Sequence, residues 1–295
     1  AQNIGQMTNT GFDFSIGYTK RVNRDFNFNV NLTGSTVKNE VLKLEANSNS
    51  FIRSGGSRIG DITYTKSGLP ISQFYGYVQE GLWQSQADIN KVLFTNAGDA
   101  KVGRFRFKDL NGDGQINNLD ETYLGSPIPT LLLGLNLTAN YKNWDFTMYW
   151  SGTYGNKLFN FVKYFSHFNA FQRSRSKDFL YEAGKTLPVL DGGDNYSSNR
   201  NSYYVEDGSF TRLRNLQVGY SLDAASLKKL GISRLRVYAQ GQNLLTFTKY
   251  SGLDPDVTIS NITEGFNSQR DLSLGVDNGR IPLARTFVVG INLEF

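Results

Sequence analysis

Seven stretches of this chain carry an apolar residue at every second position over roughly ten residues, and that period restricts the fold more than any other feature. In "GFDFSIGYTK", Phe12, Phe14, Ile16 and Tyr18 oppose Asp13, Ser15 and Gly17, and "FNFNVNLTGS" sets Phe26, Phe28, Val30 and Leu32 against Asn27, Asn29 and Asn31. Successive side chains of a strand point to opposite faces, so each stretch has one greasy and one polar face. "LLLGLNLTANY" places Leu133, Leu135, Leu137 and Ala139 opposite Gly134, Asn136 and Thr138, and "WDFTMYWSGTYG" aligns Trp144, Phe146, Met148 and Trp150. The period continues through Leu216, Val218 and Tyr220, and through Leu235, Val237 and Ala239. In the final "TFVVGINLEF", Phe287, Val289, Ile291, Leu293 and Phe295 share a face, and only Val288 breaks the alternation. The predicted strands are residues 11–21, 25–37, 131–141, 144–154, 210–220, 233–243 and 286–295, with one further hairpin offered by residues 58–84 around "RIGDITYT" and "FYGYVQEGLW".

A ladder of asparagines is a poor choice for a face packed on a dry core, but it suits a wet lumen. The chain is 14% aromatic yet only 39% hydrophobic, a combination that a water-soluble globule rarely needs. No run approaches the roughly 20 apolar residues of a spanning helix. A transmembrane barrel is compatible, because its strands need only about 9 to 11 residues with alternate positions apolar and aromatics gathered near the interfaces. Without cysteine there is neither a disulfide nor a thiolate metal site. The net charge of +5 is spread along the chain, which argues against a nucleic-acid partner.

The connections alternate in length. Short turns fall near 22–24 and 142–143, with Tyr141 and Trp144 placed as boundary anchors, while long segments fill 38–130, 155–209 and 244–285. "SLDAASLKKLGIS" is intermediate and predicts a helical turn over 224–230. Outer-membrane barrels combine short periplasmic turns with long extracellular loops. With the long loops outside, the last strand descends to the periplasm and so does the first, which puts residue 1 in an extracellular loop. The odd strand count, and an opening "AQNIGQ" without Met or a charged leader, predict the carboxyl-terminal part of a larger polypeptide.

The sharpest local motif is "DLNGDGQINNLD", residues 109–120, within an expected extracellular loop over 85–130. Asp109, Asn111, Asp113, Gln115, Asn117 and Asp120 occupy loop positions 1, 3, 5, 7, 9 and 12, with Gly114 at position 6. That spacing offers hard oxygen ligands to a structural Ca²⁺, with the Gln115 main-chain carbonyl among them, and Glu121 is a substitute for the short Asp120. The alternative is a Gly/Asn/Asp-rich surface turn that binds nothing. His167 is the single histidine, so neither a metal pair nor a histidine triad can be assembled, and it reads as an ordinary loop residue. The aromatic and basic stretch "FNFVKYFSHFNAFQRSRS" around it is suited either to a partner or ligand or to self-packing. Asp191, Asp194, Glu206 and Asp207 read as solvated loop carboxylates without an acid and base pair. Tyr75, Tyr77, Trp83, Tyr203 and Tyr204 are candidates for stacking on sugar rings, against the commoner use of such rings as interfacial anchors.

Several long signatures occur in order: "GLPISQFYGYVQEGLWQ", "FKDLNGDGQINNLDETYLGSPIPTLLLGLNL", "YVEDGSFTRLRNLQVGYSL" and "LRVYAQGQNLLTFTKYSGLDPDV", followed by the terminal strand. Together they resemble the carboxyl-terminal portion of the SusC/RagA-type TonB-dependent outer-membrane transporters. The resemblance implies an all-β, antiparallel transmembrane β-barrel segment, seven to nine strands of a barrel of about 22, whose lumen holds a plug domain absent from this sequence. It also implies partners: the remainder of the barrel and its plug, a SusD-like surface lipoprotein acting as a lid, the TonB complex through the plug, and outer-membrane lipid. The implied role is uptake of oligosaccharides or peptides without catalysis. The terminal strand ending on Phe295 resembles the signal read by barrel-assembly machinery. Two other classes stay open at this point: a self-contained outer-membrane barrel or adhesin, and a secreted calcium-containing all-β carbohydrate-binding protein.

Overall fold

The computed structural model describes residues 5–44, 51–94, 100–168, 175–222, 231–257 and 272–295. The seven alternating stretches form one sheet: β1 (Gly5–Arg21), β2 (Phe26–Leu44), β3 (Leu131–Tyr141), β4 (Trp144–Tyr154), β5 (Phe210–Ser221), β6 (Arg234–Thr248) and β7 (Thr286–Glu294). Each pairs antiparallel with its neighbour in that order, so the sheet is an up-and-down meander. The first two strands and β6 run beyond their predicted ends. The helical turn expected over 224–230 lies outside the described residues.

Register turns the sequence period into a surface. Tyr18, Val30, Leu137, Met148, Leu216, Gly241 and Phe287 stand side by side across all seven strands. The row next to it carries Phe28, Ala139, Phe146, Val218, Ala239 and Val289. Between them, on the other face, Asn29, Thr138, Thr147, Gln217 and Gln240 line up. Because the side-chain period is two, a one-residue slip would exchange the faces, so this agreement across strands fixes the register. Phe287 and Val289 are each 76% exposed, the reverse of what a water-soluble core would do with them.

One irregularity changes the parity. An extra residue at Arg214 in β5 breaks the pairing with both β4 and β6, and β6 answers with Asn243 in the left-handed region at φ 53°. Above the bulge Arg212 lies on the polar side opposite Ser151, and below it Asn215 does, opposite Tyr149.

The long connections on one end of the sheet are not irregular loops. Gly60–Lys66 and Gln73–Tyr77 pair as the expected hairpin, but within a separate four-stranded sheet with Phe51–Ser57 and Glu121–Gly125 rather than as wall strands. A three-stranded sheet joins Val205–Asp207, Lys157–Asn160 and Val276–Asp277. Ile62, Phe74, Phe159, Phe161, Tyr204 and Val276 form one dry cluster between them, and Tyr77, Leu82, Phe105, Phe107 and Ile116 form a second. Each fully buried aromatic or branched side chain contributes about 1.5–3 kcal/mol, which lets these connections hold a fixed shape. The layer is fastened to β2, where the Val41 N–H donates to the Leu69 carbonyl at 3.0 Å and the Ile71 N–H donates to Asn39 Oδ1 at 2.8 Å.

Candidate functional site

The polar face of the sheet is a hydrogen-bonded lattice. Asn29 donates to Thr19 at 2.6 Å, Ser15 to Asn31 at 3.1 Å, and Asn140 to Asn27 at 3.0 Å. Arg236 on β6 reaches across β5 to Asp145 on β4 in a two-point pair, Nε to Oδ1 at 2.7 Å and Nη2 to Oδ2 at 2.5 Å. Gly219 makes that crossing possible, because a Cβ there would lie 2.4 Å from Asp145 Oδ1 and 2.5 Å from Arg236 Nη2. Tyr238 likewise lies over Gly290, whose Cβ would meet the ring at 2.4 Å. The result is a continuous hydrophilic surface with fixed charges, suited to bordering water.

Two of the sequence signatures meet above this surface. Arg212 of "FTRLRNL" is buried and donates to Asp254 of "GLDPDV", and Arg214 donates to Asp256 at 2.9 Å and to Ser151 at 2.8 Å. Asp254 also accepts the Leu283 and Asp256 N–H groups. Burial alone would raise its pKa, but these backbone bonds and Arg212 hold the carboxyl below its ordinary value. Sequence reasoning missed this clamp, for which the only signal was the pairing of "RLR" with "DPD" some forty residues on.

The loop over 109–120 is built from Asx turns. Asp109 accepts the N–H groups of Gly112 at 2.7 Å and Gly114 at 2.8 Å, both glycines having positive φ. Asn111 accepts the Asp113 N–H, and Asp113 accepts the Gln115 N–H. Asp120 is fully buried and takes the Leu110 and Asn117 N–H groups, while Asn117 caps the short helical turn that follows it. The six predicted positions thus lie in one turn. Among the described residues no three Asp, Glu or His side chains converge where an ion would sit. Glu121 is not a substitute ligand, since it is buried in an ion pair with Arg200 at 2.6 Å.

Other expectations are corrected by burial. Tyr77, Trp83 and Tyr204 are core residues and cannot stack on a ligand; Tyr203 is half-buried against His167, and Tyr75 keeps a partly open ring. Asp194 and Glu206 are not solvated carboxylates, because Asp194 is buried 3.4 Å from Arg104 and Glu206 pairs with Lys163 at 2.9 Å. Burial would raise the Glu206 pKa, but Lys163 and the Ser251 hydrogen bonds outweigh it and hold the carboxyl below its ordinary value. His167 is buried 2.5 Å from the Tyr203 hydroxyl, and desolvation together with Lys163 lowers its pKa. Phe161, Tyr164, Phe165 and Phe168 of the aromatic stretch pack on the layer's own core, so self-packing is the outcome for its described part.

No protein-family model matches the sequence. TonB-dependent receptor P3 of Formosa agariphila is 32% identical over 296 residues, covering all of this chain. The chain is homologous along its whole length to TonB-dependent receptors. TonB-dependent receptor SusC of Bacteroides thetaiotaomicron is 29% identical, again across the full chain. The solved RagAB peptide transporter shares the fold of this chain, with a TM-score of 0.77 at 24% identity, the match covering all of this chain. The segment spans 29% of the P3 receptor, 27% of SusC and 30% of the RagAB chain. The relatives carry the names of receptors and of an importer rather than of enzymes.

Proposed function

We propose that this chain supplies part of the wall and the outer loop layer of a TonB-dependent outer-membrane importer that takes up oligosaccharides or peptides together with a SusD-like lipoprotein. The carrying observation is the register that sorts seven strands into an apolar face and a hydrogen-bonded polar face. The apolar rows meet outer-membrane lipid, the polar rows border the lumen, and the folded connections face outward. The free edges of β1 and β7 pair with the remainder of the barrel, since a long unpaired edge is a template for further strands. TonB contact belongs to the plug. The similarity to the RagAB peptide importer supports a surface partner here.

The test places single cysteines in this stretch of 295 residues, which has none of its own. Spin labels at Leu137→Cys and Phe287→Cys in the whole receptor are expected to be relaxed by a lipid-soluble agent, and labels at Asn136→Cys and Thr286→Cys by a water-soluble one. The same accessibility on both faces would end this reading. Co-isolation of a SusD-like lipoprotein with the tagged receptor tests the partner.

We also infer that the turn over 109–120 takes a structural Ca²⁺. Support comes from the six-position spacing and from Gly112 and Gly114 in the left-handed region. Asp109 and Asp113 would supply charge, with Asn111, Asn117 and the Gln115 carbonyl as neutral donors. Addition of Ca²⁺ is expected to raise the receptor's melting temperature, and Asp109→Asn with Asp113→Asn to remove the rise.

A further inference from the structure

The four-stranded sheet of the loop layer has a face that the first dry cluster does not use. Register puts Phe51 beside Lys66, Arg53 beside Tyr64, and Tyr64 beside Gln73, with Tyr75 and Glu121 further along. Phe51, Tyr64 and Tyr75 stack in a column, with ring centroids 5.3 Å and 4.6 Å apart. The Arg53 guanidinium lies over Phe51 at 4.9 Å and over Tyr64 at 5.5 Å. These residues, with Arg200, line a pocket of about 260 Å³.

Charge and polar satisfaction state what the pocket is built for. Its only carboxylate, Glu121, is held by Arg200, and among the described residues Arg53 and Lys66 have no acidic partner. Two buried polar atoms on its lining lack a hydrogen bond: the acceptor Gln73 Oε1, on a side chain that is 1% exposed, and the donor Arg200 Nε. Buried polar groups are nearly always paired, so an orphan donor and an orphan acceptor lining one pocket mark a place for an outside group that both donates and accepts. A hydroxyl does both. The outer rings of the column, Phe51 and Tyr75, offer apolar surface to the C–H bonds of a sugar, and the two cations without an acidic partner suit a carboxylate.

We propose that this pocket is a subsite for one acidic sugar residue, a uronate within a longer glycan. The inference rests on the importer reading and narrows its cargo. The carboxylate sits on Arg53 and Lys66, a ring hydroxyl lies between Gln73 and Arg200, and the apolar edge of the sugar lies against Phe51 and Tyr75. The volume is below the roughly 300 Å³ at which a site encloses a drug-sized molecule, which fits a single ring of a chain passing over it.

The experiment is calorimetric titration of the whole receptor in detergent with trigalacturonate, with its carboxyl-reduced neutral trisaccharide, and with a triglutamate peptide. Trigalacturonate is expected to bind at least about tenfold more tightly than either of the others, the increment of one charge-assisted contact. The double variant Arg53→Gln with Lys66→Gln alters exposed side chains and is expected to keep the melting temperature while losing that tenfold preference. Tyr75→Ala is expected to weaken trigalacturonate and the neutral trisaccharide together. Equal binding of the neutral sugar, tighter binding of triglutamate, or no binding of trigalacturonate overturns the subsite. The spin-label pattern of the wall reads the importer proposal separately, so a failure of one is not a failure of the other.

Discussion

The wall and the loop layer treat the same residue types in opposite ways. In the wall large apolar side chains stand exposed, with Phe287 and Val289 at 76%, and the backbone ladder joins the strands. In the layer Phe74, Phe105 and Phe159 are fully buried, and charges such as Arg104 with Asp194 are buried with them. The wall is therefore inside out relative to the layer. One chain rich in phenylalanine and tyrosine uses these residues in two ways, and the choice is made by period: strict alternation leaves rings exposed on one face of the wall, whereas short strands broken by turns tuck them between sheets.

The largest expected effect that would break this contrast is in the layer. Phe159→Ala should cost about 3–5 kcal/mol by opening a cavity among Phe74, Phe161 and Tyr204. Hydrogen exchange should show that loss in the layer with the wall ladder still protected; equal loss in both would mean that they are one cooperative unit. Next comes the wall. Met148→Arg should destabilise the receptor in lipid by about 2–4 kcal/mol, and Thr147→Arg, its neighbour on the polar face, by far less, as read from denaturant titrations in vesicles.

Acid separates the regions further. Glu206 and Asp254 have folded-state pKa values held below their ordinary ones. Their contribution is complete above the unfolded carboxylate pKa and fades as pH falls through the lower folded values, so the protection of the Ser251 and Leu283 amides should fall below about pH 4. No change there would remove the ion pairs from the account of the layer. The smallest effect is expected at the exposed pair Lys38 and Glu40, 3.0 Å apart, where Lys38→Gln should stay within about 1 kcal/mol of the wild type.

All seven wall strands were legible in the sequence, because a period of two survives without knowledge of any neighbour. The bulge at Arg214 was not, since an extra residue matters only when a partner strand is there to count against. Nor were the interiors of the long connections. Tyr77, Trp83 and Tyr204 read as open platforms because burial there depends on segments far apart in the chain, as Phe74 meets Phe159 and Tyr77 meets Phe107. The turn over 109–120 was legible as a turn by its glycines and Asx residues, whereas the fate of Glu121 depended on Arg200, 79 positions away.

The clasp of Arg212 and Arg214 by Asp254 and Asp256 bears on how firmly the layer is tied to the sheet. The segment that leaves β6 is stitched to the rim of β5, the strand before it, by two guanidinium groups. Lifting that corner would strip both cations of their counter-charges at once, so it behaves as an anchor. The attachments of the layer to β2 are single uncharged bonds, which part at a smaller electrostatic cost than this corner does.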